Sequence, residues 1–406
     1  MAVATFPRQT WTAHGATSAL AGWLGSMRYV ATPFGRDSRL DLLRGFCVFA
    51  MIVDHIGGTS WLYVLTGGNR GPITAAEGFV FLSGLVLGMV SRKRISRDGL
   101  RSAALATVKR AGTLYALTVS LTVIFLALTA ATDLAIWVDR EQLGEVTNWP
   151  ALLGDVALVR FTWHGTDILA LYALLLLSSP LALLLLANGH RWKLLSASVS
   201  LWLAYQVAPE QVVIPWTIEH AATFPFAAWQ LLFVAGLSLG YSRRELAERF
   251  SRRAAWPQAG STFRVGLSVA ACGLFMLGGA LGTEQANAMG QQFHPISAVN
   301  LFDKASLGVG RLAVFASMAL VIYVALTAFW QPIQRAFGWL LIPLGQASLY
   351  AYAVHLFLIL VAYNVPPYIG SDQPGMELHN TAGQLALVLV VWVMVKRKVL
   401  FSLIPR

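Results

Sequence analysis

The run Arg39-Leu-Asp-Leu-Leu-Arg-Gly-Phe-Cys-Val-Phe-Ala-Met-Ile-Val-Asp-His55 is apolar enough to enter a membrane, yet it carries five ionisable side chains: Arg39, Asp41, Arg44, Asp54 and His55. Charge at bilayer depth is costly and tends to mark a function. Arg44 and His55 are eleven residues apart, about three helical turns, so they lie within roughly 20° of one helix face and about 16 Å apart along it. A guanidinium fork matches phosphate geometry, and an imidazole near neutral pKa suits removal of a hydroxyl proton. The pairing suits a long, anionic-headed donor whose reactive end must reach a base. Plainer readings stand beside it: His55 as a helix-end histidine facing interfacial water, and Arg44 as an interfacial arginine paired with Asp41, three residues earlier on the same side of the helix.

Further candidates lie downstream. Glu77 opens Glu77-Gly-Phe-Val-Phe-Leu-Ser-Gly84, and Asp54 or Glu77 is expected to orient His55; a Glu77–Arg70 pair is the structural alternative. Arg44, Asp41 and Arg39 form the donor-binding set. His164, Asp167, His355, Ser83 and Tyr352 are expected to line the acceptor side of a cavity, with packing the plainer reading for Tyr352 and for Tyr350. No Walker loop, dinucleotide fingerprint, HExxH or CxxC pattern occurs, so neither a metal nor a tightly bound cofactor is expected. Cys47 and Cys272 sit in apolar runs and read as packed thiols.

The elements that must position these groups are membrane helices. Hydrophobic residues make up 56% of the chain, charged residues 12%, and mean hydropathy is +0.61; a soluble domain carries about twice that charge. Ten spans are expected, at approximately 40–57, 72–90, 111–131, 167–187, 194–208, 226–241, 264–282, 311–330, 342–363 and 381–396. They make one all-α polytopic bundle. A basic cytoplasmic tail covers 1–38, the transmembrane domain 39–398, and a short cytoplasmic tail 399–406. Within the first tail, Ala16 to Met27 is too short to span and lacks a preceding charged block, which reads as a surface-lying segment rather than a signal peptide.

The net charge of +11 would suit nucleic acid, but its distribution points to topology. Loop 91–110 holds Arg92, Arg94, Arg97, Arg101 and Arg110, loop 242–263 holds Arg243 and Arg244, loop 331–341 holds Arg335, and the C-terminal end holds Lys396, Arg397 and Lys398. With ten spans all fall on one side, the cytoplasmic one by the positive-inside rule; the opposite loops are acidic, including Asp133, Asp155, Glu210 and Asp372. Both termini are then cytoplasmic. Asp54, His55, Glu77, Asp167 and His355 share the outer half of the membrane, as a polar cavity would require. Tryptophans such as Trp61, Trp149, Trp163, Trp216 and Trp229 read mostly as an interfacial belt.

These residues also resemble a known group. Arg44, ten residues, then His55 resembles the Arg-X10-His signature of the membrane acyltransferase-3 superfamily; Phe79-Val-Phe-Leu-Ser-Gly84 is similar to its second-helix motif, and Leu344-Gly-Gln-Ala-Ser-Leu-Tyr-Ala-Tyr-Ala-Val-His355 to its late helix. Arg39-Leu-Asp-Leu-Leu-Arg-Gly45 with Asp54-His55, Gly154-Asp-Val-Ala-Leu-Val-Arg160 and Phe302-Asp-Lys304 resemble the OpgC branch, associated with succinylation of osmoregulated periplasmic glucans. The resemblance implies a bacterial inner-membrane acyltransferase with His55 catalytic and Arg44 binding the donor. Acyl-CoA, with succinyl-CoA the favoured form, is its co-substrate on the cytoplasmic side, and a glycan is the acceptor on the periplasmic side. Membrane lipid is the surrounding partner. The alternatives are acetyl as the cargo, and a secondary transporter whose His, Asp and Glu relay protons.

Overall fold

The computed structural model describes residues 27–30, 36–69, 71–135, 148–163, 165–218, 223–253, 271–274, 276, 301–366 and 368–404. Among them the chain is helical, with no β-strand. In chain order the helices are α1 (Ser38–Ile56), α2 (Tyr63–Thr66), α3 (Ala75–Ala131), α4 (Trp149–Ala157), α5 (Asp167–Ala187), α6 (Arg191–Val207), α7 (Phe226–Arg253), α8 (Val309–Ala328), α9 (Trp330–Gln346), α10 (Ser348–Asn364) and α11 (Glu377–Arg397).

The ionisable run is α1. Asp37 caps it, its carboxylate accepting from the Arg39 backbone N–H at 3.2 Å, and Gly57, at φ +72°, ends it. The helix is unbroken between Arg44 and His55, so both stand on one rigid rod. It packs against α3, α9, α10 and α11.

α3 holds 57 residues, which unbroken would reach about 86 Å, nearly three times a hydrocarbon core of about 30 Å. It breaks at Gly99, φ +83° and ψ 167°, a conformation open to glycine. The stretch 91–110, expected as a loop, is thus helical on both sides of that glycine, because its Arg, Lys, Leu and Ala residues favour helix. The other expected basic loops are corrected likewise: α7 runs through Arg243 to Arg253, and 331–341 belongs to α9.

Among the described residues, four helices are long and apolar enough to cross a membrane: α3, α5, α8 and α11. The pair α9–α10, bent by 92° at Ala347, brings the number to five if it is one broken span. That is fewer than the ten expected, for local reasons. α3 merges two expected spans, α1 carries its ionisable residues, α6 has only 17 residues, and α7 mixes Gln230 and arginines with its apolar turns. Most of 264–282, like most of the N-terminal tail, lies outside the described residues.

Glycines set the two closest crossings. A Cβ on Gly45 would lie 1.8 Å from the Leu341 carbonyl oxygen, and one on Gly345 1.8 Å from that of Asp41; α1 and α9 therefore touch backbone to backbone. Gly84 and Gly88 of α3 meet Gly236 and Gly240 of α7 in the same way, each added Cβ falling 2.0–2.3 Å from a carbonyl oxygen of the other helix. Small residues four apart permit such approach where lipid supplies no hydrophobic drive. The first crossing brings the start of α10 beside Arg44.

Candidate functional site

Two polar centres lie along α1. The first is a cavity of about 380 Å³ between the two arms of α3, α5, and the adjoining turns of α1 and α10. Arg94 and Arg110 line it at the basic end; Arg44, Ser83, Tyr172 and Ser348 line it farther along. On the first arm of α3 the lining runs from Arg94 to Phe79, fifteen residues or about 22 Å of helix. Arg44 donates from Nη2 to Ser348 Oγ at 2.6 Å, while its buried Nε has no hydrogen-bond partner. Tyr172 donates to Ser83 Oγ at 2.9 Å and packs edge-on against Phe79, 5.4 Å between ring centres. Apart from Ser91 and Thr107, the rest of the wall is apolar. A cationic mouth on an apolar tube suits a ligand with an anionic head and a long arm.

The second centre is at the other end of α1. His55 Nδ1 lies 2.9 Å from His355 Nε2, and His355 Nδ1 meets the Tyr352 carbonyl. A carbonyl only accepts, so His355 Nδ1 carries the proton there and its Nε2 accepts from His55 Nδ1–H. This assignment leaves Nε2 as the basic nitrogen of His55. Tyr352 packs at 4.7 Å from the His355 ring centre and donates to the Gly165 carbonyl at 2.6 Å. Asp54 accepts from Thr66 Oγ1 at 2.5 Å. Asp167, at the start of α5, accepts from the Ile168 backbone at 2.9 Å.

The expected residues thus divide. His55, His355 and Tyr352 come together. Arg44 and Ser83 line the other cavity, which neither His55 nor His355 lines. Asp54 and Glu77 do not hydrogen-bond His55. Both oxygens of the fully buried Glu77 are engaged: Oε2 takes the Thr74 hydroxyl and backbone N–H at 2.8 and 2.9 Å, and Oε1 takes Arg311. Arg311 is the ion-pair partner of Glu77; Arg70, the structural alternative for that role, and His164 lie outside the described residues. Arg39 and Asp41 are not among the cavity-lining residues. Arg39 pairs with Asp37 at 2.9 Å, donates to Thr327 at 2.7 Å and stacks over Tyr29, and Asp41 pairs with Arg36 at 2.7 Å. Asp37 also takes Arg243 at 2.7 Å. Burial alone would raise its pKa, but the hydrogen bonds from Arg39 and Arg243 outweigh it and hold the carboxyl below the ordinary value.

Sequence reasoning assigned no role to Ser348, Tyr172, Arg311 or Lys304. Arg311 carried a signal, a charge at the head of an apolar run; Tyr172 carried none. Of the expected tryptophan belt, Trp61 is 59% exposed while Trp163 and Trp229 are buried. Cys47 is buried and Cys272 exposed, both free.

Comparison with known proteins gives one finding. The family model described as OpgC protein matches residues 36–399, covering all of α1 to α11. No curated protein and no solved structure matches the chain.

Proposed function

Because the chain belongs to the OpgC family, we propose that it is a membrane O-acyltransferase that modifies a periplasmic glucan, carrying an acyl group, succinyl in the favoured reading, from acyl-CoA on the cytoplasmic side. The observation that carries the reading is the alignment of two centres on one helix: a cation-lined tube at Arg44 and a histidine pair about 16 Å farther along. In this reading ten crossings, as the sequence leads one to expect, place the basic end and both termini in the cytoplasm: the two arms of α3 count separately and α9–α10 counts as one.

The donor phosphates meet Arg94 and Arg110, with Arg44 next on the same charged track. The pantetheine arm follows the apolar wall toward His55, and Phe79 and Tyr172 part to let the thioester through. His55 Nε2 takes the proton from a sugar hydroxyl as its oxygen attacks the thioester carbonyl. The tetrahedral adduct collapses, the C–S bond breaks, and the imidazolium returns the proton to the departing thiolate. His355 holds His55 in the tautomer this requires.

Binding of succinyl-CoA, acetyl-CoA and free CoA to purified protein tests the reading. Wild type is expected to bind saturably and Arg44→Ala at least tenfold more weakly, with His55→Ala binding normally and transferring nothing. Absence of binding by every CoA species would overturn the acyl-CoA reading, and the preferred acyl group decides between succinyl and acetyl.

A further inference from the structure

Lys304 lies in the turn 301–308 that leads into α8, and the turn is pinned by two bonds from α6 and one of its own. Trp202 Nε1 donates to the Leu307 carbonyl at 3.1 Å, Gln206 to that of Ser306 at 2.5 Å, and the Ser306 backbone to Asp303 at 2.6 Å. A side chain on so fixed a turn has a defined place. The ammonium donates to Asn69 Oδ1 at 3.0 Å and stands 5.5 Å from the Phe224 ring centre.

Its electrostatic neighbours are Glu77, Arg311, Asp167 and Asp54, from α3, α8, α5 and α1. Glu77 and Arg311 neutralise each other. Asp54 and Asp167 do not: neither is ion-paired with Lys304, and their hydrogen bonds come from Thr66 and from backbone. An ammonium has three donors, and among the described residues one is used. Arg311 Nη2, in the same cluster and fully buried, has no hydrogen-bond partner either. Donors of Lys304 and Arg311 without a partner among the described residues thus share one electrostatic cluster with Asp167 and with Asp54, the residue that precedes His55.

The charge balance says what fits. Among the described residues, one ammonium against two carboxylates leaves the group net negative, which disfavours a carboxylate or phosphate at this position. A sugar hydroxyl both donates and accepts, so it can bridge the ammonium and a carboxylate without adding charge. We propose that Lys304, with Asp54 and Asp167, is the acceptor-sugar subsite, binding vicinal hydroxyls so that a neighbouring one faces His55. This rests on the acyl-transfer reading and gives its acceptor a place.

The test is steady-state transfer by the full-length protein, with unsubstituted periplasmic glucan as the acceptor and succinyl-CoA as the donor, for wild type, Lys304→Met, Lys304→Arg and Asp167→Asn. Lys304→Met is expected to raise the acceptor KM at least tenfold while the donor KM stays within twofold, and Lys304→Arg to recover part of the loss. Asp167→Asn is expected to raise the acceptor KM too, so the proposal remains testable should Lys304→Met fail to fold. An unchanged acceptor KM in folded variants overturns the subsite. A rise in the donor KM alone also overturns it, and would give Lys304 to the free carboxylate of the acyl group. No transfer by wild type overturns the acyl-transfer reading itself, and the two failures are distinct.

Discussion

His55 and His355, three hundred residues apart in the chain, meet ring to ring, Nδ1 to Nε2, at 2.9 Å. The Tyr352 carbonyl sets the proton on the far side of His355, so a chain of two hydrogen bonds selects which nitrogen of His55 is basic. His355→Phe removes the acceptor for His55 Nδ1–H. Its kcat is expected to fall about 100-fold, at the lower end of what a placed general base supplies, with donor binding unchanged. His355→Gln, whose amide oxygen can accept the same bond, is expected to keep more activity than the Phe variant. Equal losses in both variants would remove the tautomer role.

Glu77 and Arg311 are a buried pair, 0% and 4% exposed at the side chain. Removing either partner strands a charge, at a cost of about 3–5 kcal/mol. Glu77→Gln and Arg311→Met are each expected to lower the melting temperature of the detergent-solubilised protein markedly, and the double variant to lie closer to wild type than either. A double variant as unstable as the sum of the two would show that the charges do not act as a pair.

Gly45 lets α1 rest on the backbone of α9 beside Arg44. Gly45→Ala must push the helices apart, and donor affinity is expected to fall at least tenfold through displacement of Arg44 from Ser348. Gly112→Ala, on the second arm of α3 with nothing within 4 Å of the added carbon, is the control and should bind donor as wild type does. Equal binding by both variants would mean the close crossing does not position Arg44.

Asp37 joins Arg39 and Arg243 with its pKa held below the ordinary 3.8. A depressed carboxyl contributes stability that is present above its unfolded value and lost as pH falls through its folded one. Asp37→Asn is therefore expected to cost about 1–3 kcal/mol at pH 7, and the gap to wild type to narrow in acid, at a pH below the ordinary carboxyl value. Thermal unfolding of both proteins at the two pH values checks this. A gap that persists in acid would assign the effect to packing rather than charge.

How much of this was legible in the sequence depends on the range of the interaction. The Arg44–His55 alignment was readable because helical periodicity is local, and α1 carries it unchanged. His355 was readable as a residue, not as the partner of His55, since α9 and α10 must first bend by 92° to bring it there. A pair with Arg70 is the structural alternative the sequence offers for Glu77, and Arg70 lies outside the described residues; Arg311, which the structure pairs with Glu77, is 234 residues away, beyond the reach of local spacing. The basic stretch 91–110 was recognised by charge and mistaken for a loop, since its one break, Gly99, is a single residue in otherwise helix-favouring sequence.

Phe79 and Tyr172 pack edge-on in the wall of the tube, with Phe79 at the opposite end of its α3 lining from Arg94. A protein whose two reactants meet from opposite faces of a membrane risks becoming a hole in it, and every proton lost through such a hole drains the gradient that powers the cell. On the acyl-transfer reading proposed above, the two packed rings are the valve between the charged entrance and the titratable pair, parting for an arm that fills the space behind them and closing when it withdraws.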